Sequence, residues 1–156
     1  MSVEIERKFR VDPAQLPDLD GGERIVQGYI LTQSKTAVRI RIRGKAAYLT
    51  IKGETRGTAR LEFEYPIPLS DAEQMLQQLC DGPTIDKTRY EISYADHLWE
   101  IDRFHGDNQG LIIAEIELQQ ERELFERPPW ISAEVSDDPR YFNVNLAANP
   151  YCHWGD

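Results

Sequence analysis

The 156-residue sequence has only two cysteines and three histidines, and its 18 Lys plus Arg are outnumbered by 27 Asp plus Glu, for a formal charge of −9. Each shortage excludes something. Cys80 and Cys152 are far apart and form no Cys-x-x-Cys pair, so they read as reduced, incidental thiols, with neither a disulfide framework nor a thiolate zinc site. His97, His105 and His153 fall in expected turns or the tail, and no His-Glu-x-x-His occurs. A deficit of positive charge argues against a nucleic-acid binder or an anionic-membrane binder, because both rely on a basic exposed field. Apolar runs are only a few residues long, against the ~20 needed to cross a bilayer, and the acidic start Met-Ser-Val-Glu-Ile-Glu has no signal-like apolar stretch. A cytoplasmic protein is expected. Neither a Gly-x-x-x-x-Gly-Lys-Ser/Thr loop nor a Gly-x-Ser-x-Gly elbow is present.

What the sequence does have is a mixture of 40% hydrophobic and 29% charged residues, the composition of a globular protein. No repeat or long linker divides it, and residues 1–156 read as one domain. The recurring pattern has period two. In Val3–Val11, Glu4, Glu6 and Lys8 share one face while Ile5, Arg7 and Phe9 share the other. The same alternation marks strands over 24–32, 38–43, 48–52, 60–67, 87–94, 98–104 and 111–118, eight in all. Gly44-Lys45, Gly53–Gly57 and Gly106–Gly110 make short links that favour antiparallel neighbours. Ser70-Asp71-Ala72-Glu73 reads as a capping box for a helix stopped by Gly82-Pro83. Asp138-Pro139 opens a helix ending by Asn149-Pro150, and a short helix is expected around 120–127. The fold class is β-rich α+β.

The polar face of these strands is almost wholly ionisable and sorted by sign. Arg39 and Arg41, and Lys87 and Arg89, form basic pairs, joined by Lys8 and Lys52; Glu4 and Glu6, Glu62 and Glu64, Glu100 and Asp102, and Glu115 and Glu117 form acidic ones. Residues i and i+2 lie ~7 Å apart on one face, so each like-charged pair repels unless an opposite charge lies between. One such strand is ordinary solvated surface. Six pairs together point to oxygen ligands for hard cations and to guanidinium and ammonium groups for phosphates. If eight strands close into a barrel, this face can point inward around one small ligand, with Ile5, Phe9, Ile40, Ile51, Ile92, Trp99, Ile101 and Ile116 outward and covered by helices or a partner chain. Tyr48, Tyr90, Trp99 and Trp130 read as packing residues, and Tyr29 as near the tunnel. Arg140, Tyr141 and Asn143 of the last helix either plug a mouth or merely pack.

At Glu4-Ile5-Glu6-Arg7-Lys8 the sequence resembles the CYTH superfamily, the triphosphate tunnel metalloenzymes. The likeness continues in order through Gln27-Gly28-Tyr29, Arg39-Ile40-Arg41, Thr50-Ile51-Lys52, Glu62-Phe63-Glu64, Lys87-Thr88-Arg89-Tyr90, Glu100-Ile101-Asp102 and Ala114-Glu115-Ile116-Glu117. It is greatest to small bacterial tripolyphosphatases. The resemblance implies a closed eight-stranded antiparallel tunnel that hydrolyses the terminal phosphoanhydride of a triphosphate. It implies Mg²⁺ or Mn²⁺ held by Glu4, Glu6, Asp102, Glu115 and Glu117. Lys8, Arg39, Arg41, Lys52, Lys87 and Arg89 would hold the substrate. The catalytic set is Glu4, Glu6, Lys8, Glu62 and Glu64, with Glu100 lining the same tunnel; Arg43 and Arg60, near strand ends, are left out. The expected partner is a small triphosphate, with no nucleic acid and no membrane, and the protein a monomer or homodimer. ATP cyclisation, thiamine-triphosphate hydrolysis, a noncatalytic polyphosphate- or nucleotide-binding module and a lipocalin-like carrier stay open as alternatives.

Overall fold

A computed structural model describes residues 3–155. Nine strands form one sheet: β1 (Val3–Val11), β2 (Glu23–Ile30), β3 (Ala37–Arg43), β4 (Ala46–Lys52), β5 (Ala59–Ile67), β6 (Asp81–Tyr94), β7 (His97–Phe104), β8 (Ile112–Glu117) and β9 (Ile131–Glu134). Their order is β5-β4-β3-β2-β6-β7-β8-β1-β9, every pairing is antiparallel, and β5 also pairs with β1, so the first eight close into a barrel. The closing strand divides its length. Val3, Glu4 and Ile5 pair with Leu61, Arg60 and Ala59, while Glu6 to Arg10 pair with β8 from Glu117 to Ile113. β9 lies beyond β1 as a ninth strand that the alternation did not mark; at four residues behind Pro128-Pro129 it is too short to display a period.

Closure places most of the core outside the barrel, while Ile85, Phe104 and Ile113, which share the inner sides of β6, β7 and β8 with Lys87, Asp102 and Glu115, fill one end of its interior. Phe9, Trp99, Ile101, Ala114 and Ile116, on the outer faces of β1, β7 and β8, pack with Leu118 and Trp130, and Ile5, Ile92 and Phe125 join them. Trp99 sits at the middle of this cluster, edge-on to Phe9 (5.6 Å), Phe125 (5.7 Å) and Trp130 (5.6 Å). Ile40 and Ala47 are covered by α1 (Leu69–Gln78) through Ala72, Met75 and Leu76. Ile85, Phe104 and Ile113 are covered by α2 (Asn143–Ala148) through Leu146 and Ala147. Of the outward apolar positions expected, Ile51 stays exposed, beside Phe63 on the uncovered outer face of β4 and β5.

The helices depart from the expected boundaries for identifiable reasons. α1 starts at Leu69, because Pro68 ends β5 and its carbonyl receives Asp71 N and Ala72 N; Ser70 is therefore inside the helix and makes no cap. The helix ends at Gln78, and Gly82-Pro83 belong to β6. Asp138 does accept from Arg140 N ahead of Pro139, but the turn it opens is a 3₁₀ turn, Pro139–Tyr141, and extended Phe142 separates it from α2. No helix forms over 120–127. There Glu123 binds Gln119 N (2.7 Å) and His97 (2.7 Å), Glu121 binds Thr58 N (3.1 Å), and Phe125 is drawn into the aromatic cluster. Among the described residues no helix is long and apolar enough to cross a membrane.

The β6–β7 hairpin turns on Ala95 (φ 47°) and Asp96 (φ 66°), left-handed positions that disfavour side chains of this kind. Replacing Ala95-Asp96 by Asn-Gly, the pair suited to two successive positive φ values, is expected to raise stability by ~1 kcal/mol. A higher urea midpoint at unchanged slope is the expected reading; an unchanged midpoint would show that the turn is not strained.

Candidate active site

The barrel interior is a cavity of about 230 Å³ whose lining includes Glu4, Glu6, Lys8, Arg39, Arg41, Lys52, Glu62, Glu64, Lys87, Arg89, Glu100, Glu115 and Glu117. Fourteen ionisable residues were assigned to this face from alternation, and all but Asp102 reach the cavity wall. The strand pairing sorts them into two ends. Toward α2 stand Lys8, Arg39, Arg41 and Lys87, with Asn143 and Phe142 of the α2 segment on the same wall. Around the β1–β5 closure stand Glu4, Glu62, Arg60 and Lys52.

The basic end is under-neutralised. Arg39 donates to Thr50 Oγ1 (3.2 Å) and Glu64 Oε2 (3.4 Å), yet its Nε is buried with no partner. Arg41 donates to Gln27 Oε1 (2.7 Å) and, among the described residues, has no carboxylate partner. Burial, with the Arg39 and Arg89 charges, pulls Arg41 down to about 9. Lys8 Nζ reaches the carbonyl of Tyr141 (3.3 Å). Burial pulls Lys87 down to about 7, even though Asp102 lies 2.8 Å away. An anion entering here finds Arg41 with no carboxylate, Arg39 with a free Nε, and Lys87 sharing a single carboxylate with Arg89.

The carboxylates gather along β1, β7 and β8. Glu6 faces Glu117 across the β1–β8 ladder, and Glu100 faces Glu115 across β7–β8, arrangements that cost stability when both members are ionised. Burial and the Glu115 and Glu4 charges push Glu6 well above the ordinary carboxyl range, while Lys8 and Arg89 outweigh burial and hold Glu115 well below it. Burial would raise Glu4, but Lys52 at 3.1 Å keeps it down to about 2; its neighbour Glu62 is raised, by burial first and by Glu4 next. Burial also raises Glu100 and Glu117. Among the described residues no three His, Cys, Asp or Glu side chains close up as a finished coordination shell. In kind, however, Glu4, Glu6, Glu62, Glu115 and Glu117 suit a hard divalent cation: all are oxygen donors on one lining, and among the described residues Glu6 and Glu117 have no cationic partner within 4 Å.

Asp102 takes a different place from the one expected. It is wholly buried behind the lining; Oδ1 accepts from Arg89 Nε (2.7 Å), and Oδ2 accepts from Arg89 Nη2 (2.8 Å) and Lys87 Nζ (2.8 Å). With both oxygens engaged it anchors two cations, and the metal-ligand role expected for it is not carried forward. Arg60, set aside as a strand-end residue, lies on the lining with its Nε 3.5 Å from Glu4, because Glu4 and Arg60 are register partners at the closing seam. Arg43 pairs instead with Glu23. Thr50, Gln27 and Ser136 were not assigned a role. Thr50 donates to Glu64 (3.0 Å), and Ser136 on the lining accepts from Lys8 N (2.9 Å). Being uncharged, they carry no mark in a pattern of sorted charge.

A closed antiparallel barrel whose ionised working surface is its interior defines the class. The chain belongs to the CYTH domain family, which it matches over residues 2–151. It is 46% identical over 151 residues to a protein of Acetivibrio thermocellus named inorganic triphosphatase, covering 97% of each chain. A protein of Nitrosomonas europaea with the same name is 38% identical over 153 residues, covering 93% of this chain and 97% of its own. A crystal structure of an inorganic triphosphatase superposes with a TM-score of 0.67 at 36% identity, covering 94% of this chain and 95% of that one.

Proposed function

We propose that the protein hydrolyses inorganic tripolyphosphate to diphosphate and phosphate, using Mg²⁺ or Mn²⁺. The observation that carries this reading is the unspent positive charge at the α2 end: a buried Arg39 Nε without a partner and an Arg41 without a carboxylate, set in a cavity of about 230 Å³. Pockets for drug-sized ligands run to ~300–1,000 Å³. A bare phosphate chain, polyanionic along its length, suits so small and so charged a space. The shared name of two relatives that span nearly the whole chain supports the same substrate.

Lys8, Arg39, Arg41, Lys87 and Arg89 bind and orient the phosphates, and Lys52 joins them from the seam. Glu4, Glu6, Glu115 and Glu117, with Glu62 beside them, hold the divalent ion. That ion, when bound, supplies Lewis-acid stabilisation of phosphoryl oxygens. Phosphoryl transfer asks chiefly for positioning and charge stabilisation, which a rigid lining provides. Water adds to the terminal phosphorus, the bond from that phosphorus to its bridging oxygen breaks, and diphosphate leaves with that oxygen's electrons. The proton lost by the water passes to Glu62 or Glu64. The basic residues stabilise the charge gathering on the leaving diphosphate.

The test incubates the protein with tripolyphosphate, thiamine triphosphate and ATP, each with Mg²⁺ and with Mn²⁺, scoring phosphate, diphosphate and cyclic AMP. Tripolyphosphate is expected to be turned over fastest, yielding phosphate and diphosphate in equal amounts. Cyclic AMP as the principal product, faster release from thiamine triphosphate, or tight binding with no turnover would each overturn the reading. The same set run in gel filtration separates monomer from homodimer.

A further inference from the structure

Two neutral amides connect the cations at the α2 end. Gln27 on β2, only 1% exposed, accepts from Arg41 Nε through Oε1 (2.7 Å) and donates through Nε2 to Tyr29 Oη (2.9 Å) and Asn143 Oδ1 (3.3 Å). Asn143, the first residue of α2, accepts Lys87 Nζ on the same Oδ1 (2.8 Å). The path Arg41–Gln27–Asn143–Lys87 therefore runs between two buried cations without a negative charge on it. Off this path Lys87 meets one carboxylate, Asp102 (2.8 Å), which it shares with Arg89, and Arg41 meets none among the described residues; elsewhere in the lining Arg89 meets Asp102, Glu100 and Glu115, and Lys52 meets Glu4 and Glu62.

We propose that Gln27 and Asn143 are positioning residues for the substrate: the Gln27 amide oxygen fixes Arg41 without neutralising it, and the Asn143 oxygen ties Gln27 to Lys87 without adding to the one carboxylate, Asp102, that Lys87 already shares with Arg89, so that positive charge is left for the end phosphate of the chain. This rests on the tunnel being the triphosphate site. A carboxylate at Asn143 would hold Lys87 as firmly, but would supply in advance charge that the phosphate is to bring; at Gln27 it would do the same to Arg41 and would also remove the Nε2 donor to Tyr29 and Asn143. Amides fix geometry and leave charge available. Because Asn143 receives both of its hydrogen bonds on Oδ1, Asn143→Asp keeps shape and acceptors while changing the charge.

That substitution separates a charge role from a packing role. KM and kcat for tripolyphosphate are measured for the wild type, Asn143→Asp and Asn143→Ala, with circular dichroism melts of each. The expected order is a KM at least tenfold higher for Asn143→Asp, at most about threefold higher for Asn143→Ala, and kcat within about threefold for both. If the side chain serves only to pack and hydrogen-bond, the order reverses, with Ala the worse variant, and the inference falls. Gln27→Glu against Gln27→Leu repeats the comparison from β2 and decides the matter if an Asn143 variant does not fold. A wild type that neither binds nor hydrolyses tripolyphosphate would remove the underlying functional reading; a functional wild type with Asp no worse than Ala would remove this inference alone.

Discussion

Replacing Glu4 and Glu6 together by Gln is expected to lower metal-dependent turnover of tripolyphosphate by at least ~1,000-fold, equivalent to about 4 kcal/mol of transition-state stabilisation. Gln keeps the shape and the strand alternation but removes two anionic oxygen donors from the carboxylate set proposed to hold the divalent ion. The barrel has no reason to suffer. Glu6 faces Glu117 in the ladder and is pushed up by Glu115 and Glu4, so loss of its charge relieves repulsion. Lys52 loses Glu4 but keeps Glu62 at 3.1 Å, and Arg60, which also loses Glu4, is partly open to water. The melting temperature should therefore be retained or raised while phosphate release under Mg²⁺ and Mn²⁺ disappears. Turnover persisting in the folded double variant would remove these two residues from the metal site.

The second large effect falls on stability. Asp102→Asn is expected to cost ~3–5 kcal/mol, the usual penalty for leaving a buried charge without its partner. Arg89 keeps Glu100 (3.2 Å) and Glu115 (3.5 Å), but Lys87, 1% exposed, loses the carboxylate 2.8 Å from its Nζ. Urea denaturation measures the loss. Tripolyphosphate added without metal should restore part of it, because a ligand that binds only the folded state brings the missing negative charge to Lys87. A variant that remains as stable as the wild type but loses its response to Mg²⁺ would instead return Asp102 to the metal site.

Alternation makes visible which side of a strand a residue occupies, and it placed Glu4, Glu6, Lys8, Arg39, Arg41, Lys52, Glu62, Glu64, Lys87, Arg89, Glu100, Glu115 and Glu117 on the inner surface. It does not show how far along the barrel a residue lies or what it meets there. Glu100 and Asp102 share a side of β7, yet one faces the cavity and the other is sealed beneath two cations. Arg60 looks peripheral by its position in β5 and becomes part of the lining because the seam pairs it with Glu4. Gln27 and Thr50 are silent in a charge pattern, and their importance comes from hydrogen bonds across strands. The segment 120–127 has helix-compatible spacing but is held open by tertiary partners, Glu121 by Thr58 and Phe125 by Trp99.

The divided pairing of β1 also orders the assembly of the chain. β2 to β5 form a meander whose neighbours are joined by short turns, whereas Glu6 and Lys8 find their partners at Glu117 and Glu115, more than a hundred residues on. During synthesis β1 must therefore wait for β8, and bridging so long a separation is entropically costly and slow. A strand waiting with unpaired backbone groups invites pairing with other chains. Here its inner side shows Glu4, Glu6 and Lys8, and its outer side adds Arg7. The same charges that later line the tunnel act first as gatekeepers, keeping an unfinished edge soluble until β8 arrives to close it.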